Sequence, residues 1–142
     1  MTFKKLFVLQ KIEEILKNLD ETKDVFKFSD KEILKDPFKY HAAERLFQLI
    51  ADLTLDINHH LIKELNLEIT EDLQGTFYVL GDNKVLPKDF AQKIAPVAGL
   101  RNRIVHRYET LNKELFIKTF RKNYSDFQKY IKFIHQYLKK VD

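Results

Sequence analysis

The sequence contains no cysteine, which excludes disulfides, thiolate metal sites and a thiol nucleophile. It has three glycines and three prolines in 142 residues, so helix punctuation is sparse. No glycine stands close enough to another to form a phosphate-cradling loop. Apolar runs extend only a few residues before a Lys, Asp or Glu interrupts them, so no segment can span a membrane. The stretch Met1–Gln10 places two lysines ahead of the apolar Leu6–Leu9, a run too short for a secretory signal. A soluble, cytoplasmic protein is the default expectation.

What is present is sufficient for a core. Hydrophobic residues make up 44% and aromatic residues 13% of the chain, which excludes wholesale disorder. The length fits one domain, residues 1–142. The net charge of +4 is modest, but its distribution is not. Residues 1–86 carry 12 positive against 16 negative side chains, a net −4, whereas residues 87–142 carry 13 against 5, a net +8. That asymmetry favours a polyanionic partner over an evenly solvated surface.

Periodicity is helical throughout. Leu9, Ile12, Leu16 and Leu19 form one apolar stripe on a helix of about residues 3–21. Ser29-Asp-Lys-Glu32 reads as a capping box. Asp36-Pro37 supplies an N-cap and first-turn proline for a long helix to about Leu65, with the stripe Ala42, Leu46, Leu49, Leu53, Ile57 and Leu61. A short helix is expected over Thr70 to Leu80, closed by Gly81 and followed by an Asp82-Asn83 turn. Pro87 opens a fourth helix carrying Phe90, Ile94, Val97 and Leu100, kinked where Pro96 falls inside it. The last, roughly residues 112–140, carries Phe116, Phe120, Tyr124, Phe127, Ile131, Ile134 and Leu138. No segment alternates with period two, so the expected architecture is all-α: an antiparallel bundle of about four to five helices.

Chemistry concentrates in Ala98-Gly-Leu-Arg-Asn-Arg-Ile-Val-His-Arg-Tyr108. Arginine offers a permanently charged fork of donors that matches phosphate oxygens, and histidine exchanges a proton near neutral pH. Asn102 and His106 are four apart and share a helix face. Arg101 and His106 are five apart, roughly 140° around the axis. To meet on one phosphate they need the reach of Arg, a helix irregularity or a second copy of the chain. The plainer alternative is a basic, solvated helix end capped by His106. Elsewhere, Asp56 and His60 share a face, but one carboxylate–imidazole pair is a weak metal signal, and a satisfied polar patch on the second helix is the favoured reading. His41 and His135 have no constellation and take a structural reading.

The same residues carry a resemblance. Arg101-x4-His106-x-Tyr108 is similar to the R-x4-H-x-Y signature of the HepT-like proteins of the HEPN superfamily (higher eukaryotes and prokaryotes nucleotide-binding). Ala43-Glu-Arg-Leu-Phe-Gln-Leu-Ile50 and Leu55-Asp-Ile-Asn-His59 also resemble that family's pattern, and the likeness covers about residues 36–118. One departure is Asn112, where the family pattern often has an acidic residue.

The resemblance implies an all-α ribonuclease toxin of a type VII-like toxin–antitoxin pair, independent of metal and cofactor. It implies a homodimer whose paired motifs meet at a cleft. It makes Arg101 and His106 catalytic, Asn102 their polar support, and Tyr108 a regulatory tyrosine. A partner antitoxin, a minimal nucleotidyltransferase (MNT), would transfer AMP to that tyrosine. Arg103 and Arg107 are read as RNA contacts. RNA brings its own 2′-hydroxyl nucleophile, so a proton shuttle and a charge clamp are enough to cleave it. The products would be a 2′,3′-cyclic phosphate and a 5′-hydroxyl. The alternatives are a non-catalytic module that binds nucleotide or RNA in the same groove, and a purely structural helical partner.

Overall fold

The computed structural model describes residues 5–141. Seven α-helices and one 3-10 turn make up the regular structure among them, with no strand. Residues 3 and 4, placed in the first helix by its periodicity, lie outside the described residues.

Helix α1 (Lys5–Val25) buries Val8, Ile12, Ile15 and Leu19. This corrects the expected stripe, since Leu9 and Leu16 are 38% and 45% exposed. Both sets have 3,4 spacing and share Ile12 and Leu19. The run Phe7-Val8-Leu9 makes the apolar arc wide, and only packing on α3 selects the face. Helix α2 (Asp30–Lys35) starts at the expected capping box: Glu32 N–H donates to Ser29 Oγ and Ser29 N–H to Glu32 Oε1, each at 3.1 Å. Asp36 is extended, as a residue before proline must be, and its carboxylate caps α3 (Pro37–Glu64) by accepting from Phe38 N–H at 2.9 Å. Of the expected α3 stripe, Ala42 and Leu49 are only half-buried, whereas Leu46, Leu53, Ile57 and Leu61 are in the core. Asn66 closes α3 in the left-handed conformation, φ 55°. Leu67 N–H reaches Ile62 C=O at 2.9 Å, the bond of a Schellman ending.

Helix α4 (Leu73–Asp82) begins later than expected, because Asp72 takes the N-cap by accepting from Gly75 N–H at 2.8 Å. Gly81 does not close it. The left-handed residue is Lys84, φ 62°, and Gly81 stays helical. Its role is close approach: a Cβ there would lie 2.8 Å from Ala91 Cβ on α5 (Lys88–Ile94). The kinked fourth helix is in fact two, since α6 (Val97–His106) begins anew after Pro96. Pro96 sits at a helix start, where its missing N–H costs nothing.

Helix α7 (Lys113–Lys140) buries its expected stripe except Tyr124, which is half-buried. Asn112, the departure from the family pattern, caps it by accepting from Leu115 N–H at 3.0 Å. Phe47 stands edge-on to Phe116 and Phe120, with ring centroids 5.6 and 5.1 Å apart. Tyr130 donates its hydroxyl to Asn58 Oδ1 at 2.5 Å, and Asn58 donates to Thr76 Oγ1 at 3.0 Å. This buried relay ties α3, α4 and α7 together. Helix α1 is antiparallel to α3, as the Lys11–Asp56 ion pair and the Phe7–His60 stack require. Helix α7 runs parallel to α3, since Tyr40 meets Phe116 at one end and Asn58 meets Tyr130 at the other. No described helix is long and apolar enough to cross a membrane.

Candidate active site

Helix α6 is short and amphipathic. Val97 and Ala98 are buried against the bundle, which turns the following turn and a half of basic residues outward. Arg101, Asn102, Arg103, His106 and Arg107 all line one groove of about 850 Å³, walled opposite by Leu111, Leu115 and Thr119. No carboxylate among the described residues lines it. Three guanidiniums and an imidazole therefore face a common space, and although Arg101 is paired with Asp52, the surplus of positive charge attracts anions.

Arg101 is the anchored member. Its Nε donates to Asp52 Oδ1 on α3 at 2.7 Å, and one terminal nitrogen donates to Asn102 Oδ1 at 3.1 Å. These two bonds fix the plane of the guanidinium. Helix α6 is continuous through His106, so the five-residue offset is not absorbed by an irregularity, and Arg101 reaches the groove through its length. The imidazole of His106 is exposed and makes no side-chain hydrogen bond among the described residues. It is the last residue of α6, with Arg107 at the C-cap, φ −136° and ψ 46°.

Tyr108 does not line the groove. It starts the 3-10 turn Tyr108–Thr110 and points to α3, where its hydroxyl donates to Glu44 Oε1 at 3.3 Å. Partial burial, then the Glu44 carboxylate, raise its pKa above the usual tyrosine value. Burial and the same carboxylate raise that of Tyr40 further. His41 Nδ1 lies 3.1 Å from Glu44 Oε1, so His41 is not without a constellation, as its sequence neighbours suggested. Of the Asp56/His60 pair, Asp56 is engaged by Lys11 and His60 stacks on Phe7. No group of three or more His, Asp or Glu side chains able to hold a metal exists among the described residues.

The family described as "Ribonuclease HepT-like" matches residues 15–134. The chain belongs to the HepT-like ribonuclease family. A tRNA nuclease HepT from Aphanizomenon flos-aquae is 30% identical over 128 residues, covering 90% of this chain and 87% of that protein. An mRNA nuclease HepT from Shewanella oneidensis is 25% identical over 84 residues, covering 59% of this chain and 63% of its own. The fold is similar to that of a tri-AMPylated Shewanella oneidensis HEPN toxin solved in complex with its MNT antitoxin. The TM-score is 0.83 at 21% identity, over 92% of this chain and 97% of that one.

Within this HepT-like chain, the structure adds two residues to which sequence reading gave no role, Glu44 and Asp52. Both lie on α3, and each meets a motif residue from a distant part of the chain. Glu44 carried one signal. With Tyr40, Phe47 and Ala51 it occupies a 4,3,4 core stripe, where a carboxylate is out of place unless something pairs with it.

Proposed function

We propose that this ribonuclease cleaves RNA in the α6 groove without a metal, using Arg101 and His106, and that modification of Tyr108 silences it. The observation that carries the reading is the carboxylate-free groove into which three arginines, Asn102 and an exposed His106 converge. The imidazole of His106 shuttles the proton between the 2′-hydroxyl and the leaving 5′-oxygen. Arg101, held in orientation by Asp52, stabilises the charge that builds on the phosphoryl oxygens. Asn102 braces the guanidinium, and Arg103 and Arg107 hold flanking phosphates. Two copies in a homodimer, their motifs facing across a cleft, would supply separate acid and base histidines.

Regulation follows from the position of Tyr108, two residues beyond His106. An adenylyl group added by a nucleotidyltransferase antitoxin would bring bulk and negative charge to the groove mouth and exclude RNA. In EDTA, purified protein should fragment RNA and leave DNA of the same sequence intact, because DNA lacks the 2′-hydroxyl. Arg101→Ala should abolish that fragmentation. RNA retained by the wild type without cleavage would instead identify a binding module. After incubation with ATP and the antitoxin, mass spectrometry should locate AMP on Tyr108. Turnover of ATP with no adduct there would refute the regulatory reading.

A further inference from the structure

Glu44 stands where a carboxylate is poorly tolerated. The residue is 7% exposed, and its Oε2 atom is buried. Oε1 takes the Tyr108 hydroxyl at 3.3 Å and faces His41 Nδ1 at 3.1 Å. The Tyr40 hydroxyl beside it is also buried, and burial together with this carboxylate raises its pKa. A carboxylate this buried, already shared between neighbouring side chains, poorly tolerates a second negative charge nearby.

We propose that Glu44 is an anion-sensitive latch, which holds the unmodified Tyr108 hydroxyl on α3 and expels the same side chain into the groove once it carries an anionic ester. This rests on the reading of Tyr108 as the modified residue. Two causes act together. The 3.3 Å spacing leaves no room for a phosphoryl group between the tyrosine oxygen and Glu44, and the ester charge would meet a desolvated carboxylate. On the α3 side, His41 contributes an exposed imidazole, and Lys113 is engaged over the Tyr40 ring at 4.9 Å. On the other side, Arg103 and Arg107 line the carboxylate-free groove. The hinge is short: Arg107 is the C-cap of α6, and Tyr108 opens a single 3-10 turn while remaining 41% exposed. The latch explains how the unmodified tyrosine leaves the groove open although it is two residues from His106, and how a covalent anion both releases it and directs it onto the RNA-binding arginines.

The test installs phosphotyrosine at position 108 by genetic code expansion, with Glu44 or with Glu44→Gln, and reads amide hydrogen exchange over residues 107–112. With Glu44, the ester should raise exchange about tenfold or more, as expected for a turn that has lost its anchor. With Glu44→Gln, which keeps the shape and removes the charge, the rise should shrink to within about threefold. Unmodified Tyr108→Phe, a variant that needs no burial change, should raise exchange in the same segment. Fluorotyrosine at position 108 should titrate at a lower pH in Glu44→Gln than with Glu44, a shift that a purely steric contact would not produce. Exchange unaffected by the ester, or a rise of equal size in both backgrounds, would overturn the latch. Because the phosphate is installed directly, an AMP adduct found elsewhere would remove Tyr108 as the natural site without altering this result.

Discussion

Arg101 and Asp52, 49 residues apart, form a 2.7 Å charge-assisted hydrogen bond between α6 and α3. The bond is to Nε, the nitrogen that sets the plane of the guanidinium, so Asp52 determines how Arg101 presents its remaining donors to the groove. Replacing it should misalign the clamp without emptying the site. Asp52→Ala should lower kcat about 10- to 100-fold with a much smaller change in KM. Asp52→Asn, which keeps an acceptor in place, should recover part of the loss. Equal kcat in all three proteins would show that Arg101 needs no brace.

Phosphate contacts in the groove predict a salt dependence. Log Kd for a single-stranded RNA should vary linearly with log salt concentration, and Arg103→Gln or Arg107→Gln should each reduce the slope by about 0.7. An unchanged slope in either variant would remove that arginine from the RNA path.

The buried relay predicts both a stability and its pH dependence. Tyr130→Phe removes the donor to Asn58 Oδ1 and should cost about 1–3 kcal/mol, because the acceptor stays buried and unpaired. Burial raises the Tyr130 pKa well above the ordinary value, and Tyr40 is raised by burial and by Glu44. A raised pKa favours the protonated form in the folded protein. The contribution is therefore complete below the unfolded tyrosine value, about 10, and is lost as pH rises beyond it. Denaturant midpoints should fall from about pH 10 upward, less steeply in Tyr130→Phe.

The closeness of α4 to α5 predicts a compensating pair. An added methyl at Gly81 would meet Ala91 Cβ at 2.8 Å. Gly81→Ala should destabilise by about 1–2 kcal/mol after the helix-propensity gain is set against overpacking. Ala91→Gly added to it should restore part of the melting temperature. Independent, additive losses would mean that the two helices simply move apart.

These relationships show where the sequence was readable. The Ser29 box and the Asp36-Pro37 start were legible because capping is local: donor, acceptor and φ preference all lie within four residues. The basic cluster at 101–107 was legible for the same reason, since one helix end presents it. The α1 face was not, because Val8/Ile15 and Leu9/Leu16 are equally periodic and only α3 distinguishes them. The end of α4 was not, because a lysine took the left-handed position that a glycine would have advertised. The place of Glu44 in a core stripe signalled only that it is buried; the partners of Asp52 and Glu44 lay beyond any local pattern, 49 and 64 residues away.

If His106 moves the proton in a metal-independent transesterification, its loss slows cleavage with every metal ion removed. The most direct measurement is the single-turnover cleavage rate of an RNA oligonucleotide in EDTA, wild type beside His106→Ala, with the product ends identified by mass spectrometry. The wild type should leave 2′,3′-cyclic phosphate and 5′-hydroxyl ends, and the rate should be about 10²- to 10⁴-fold lower in His106→Ala. Equal rates in the two proteins, or 3′-hydroxyl and 5′-phosphate ends, would contradict that mechanism.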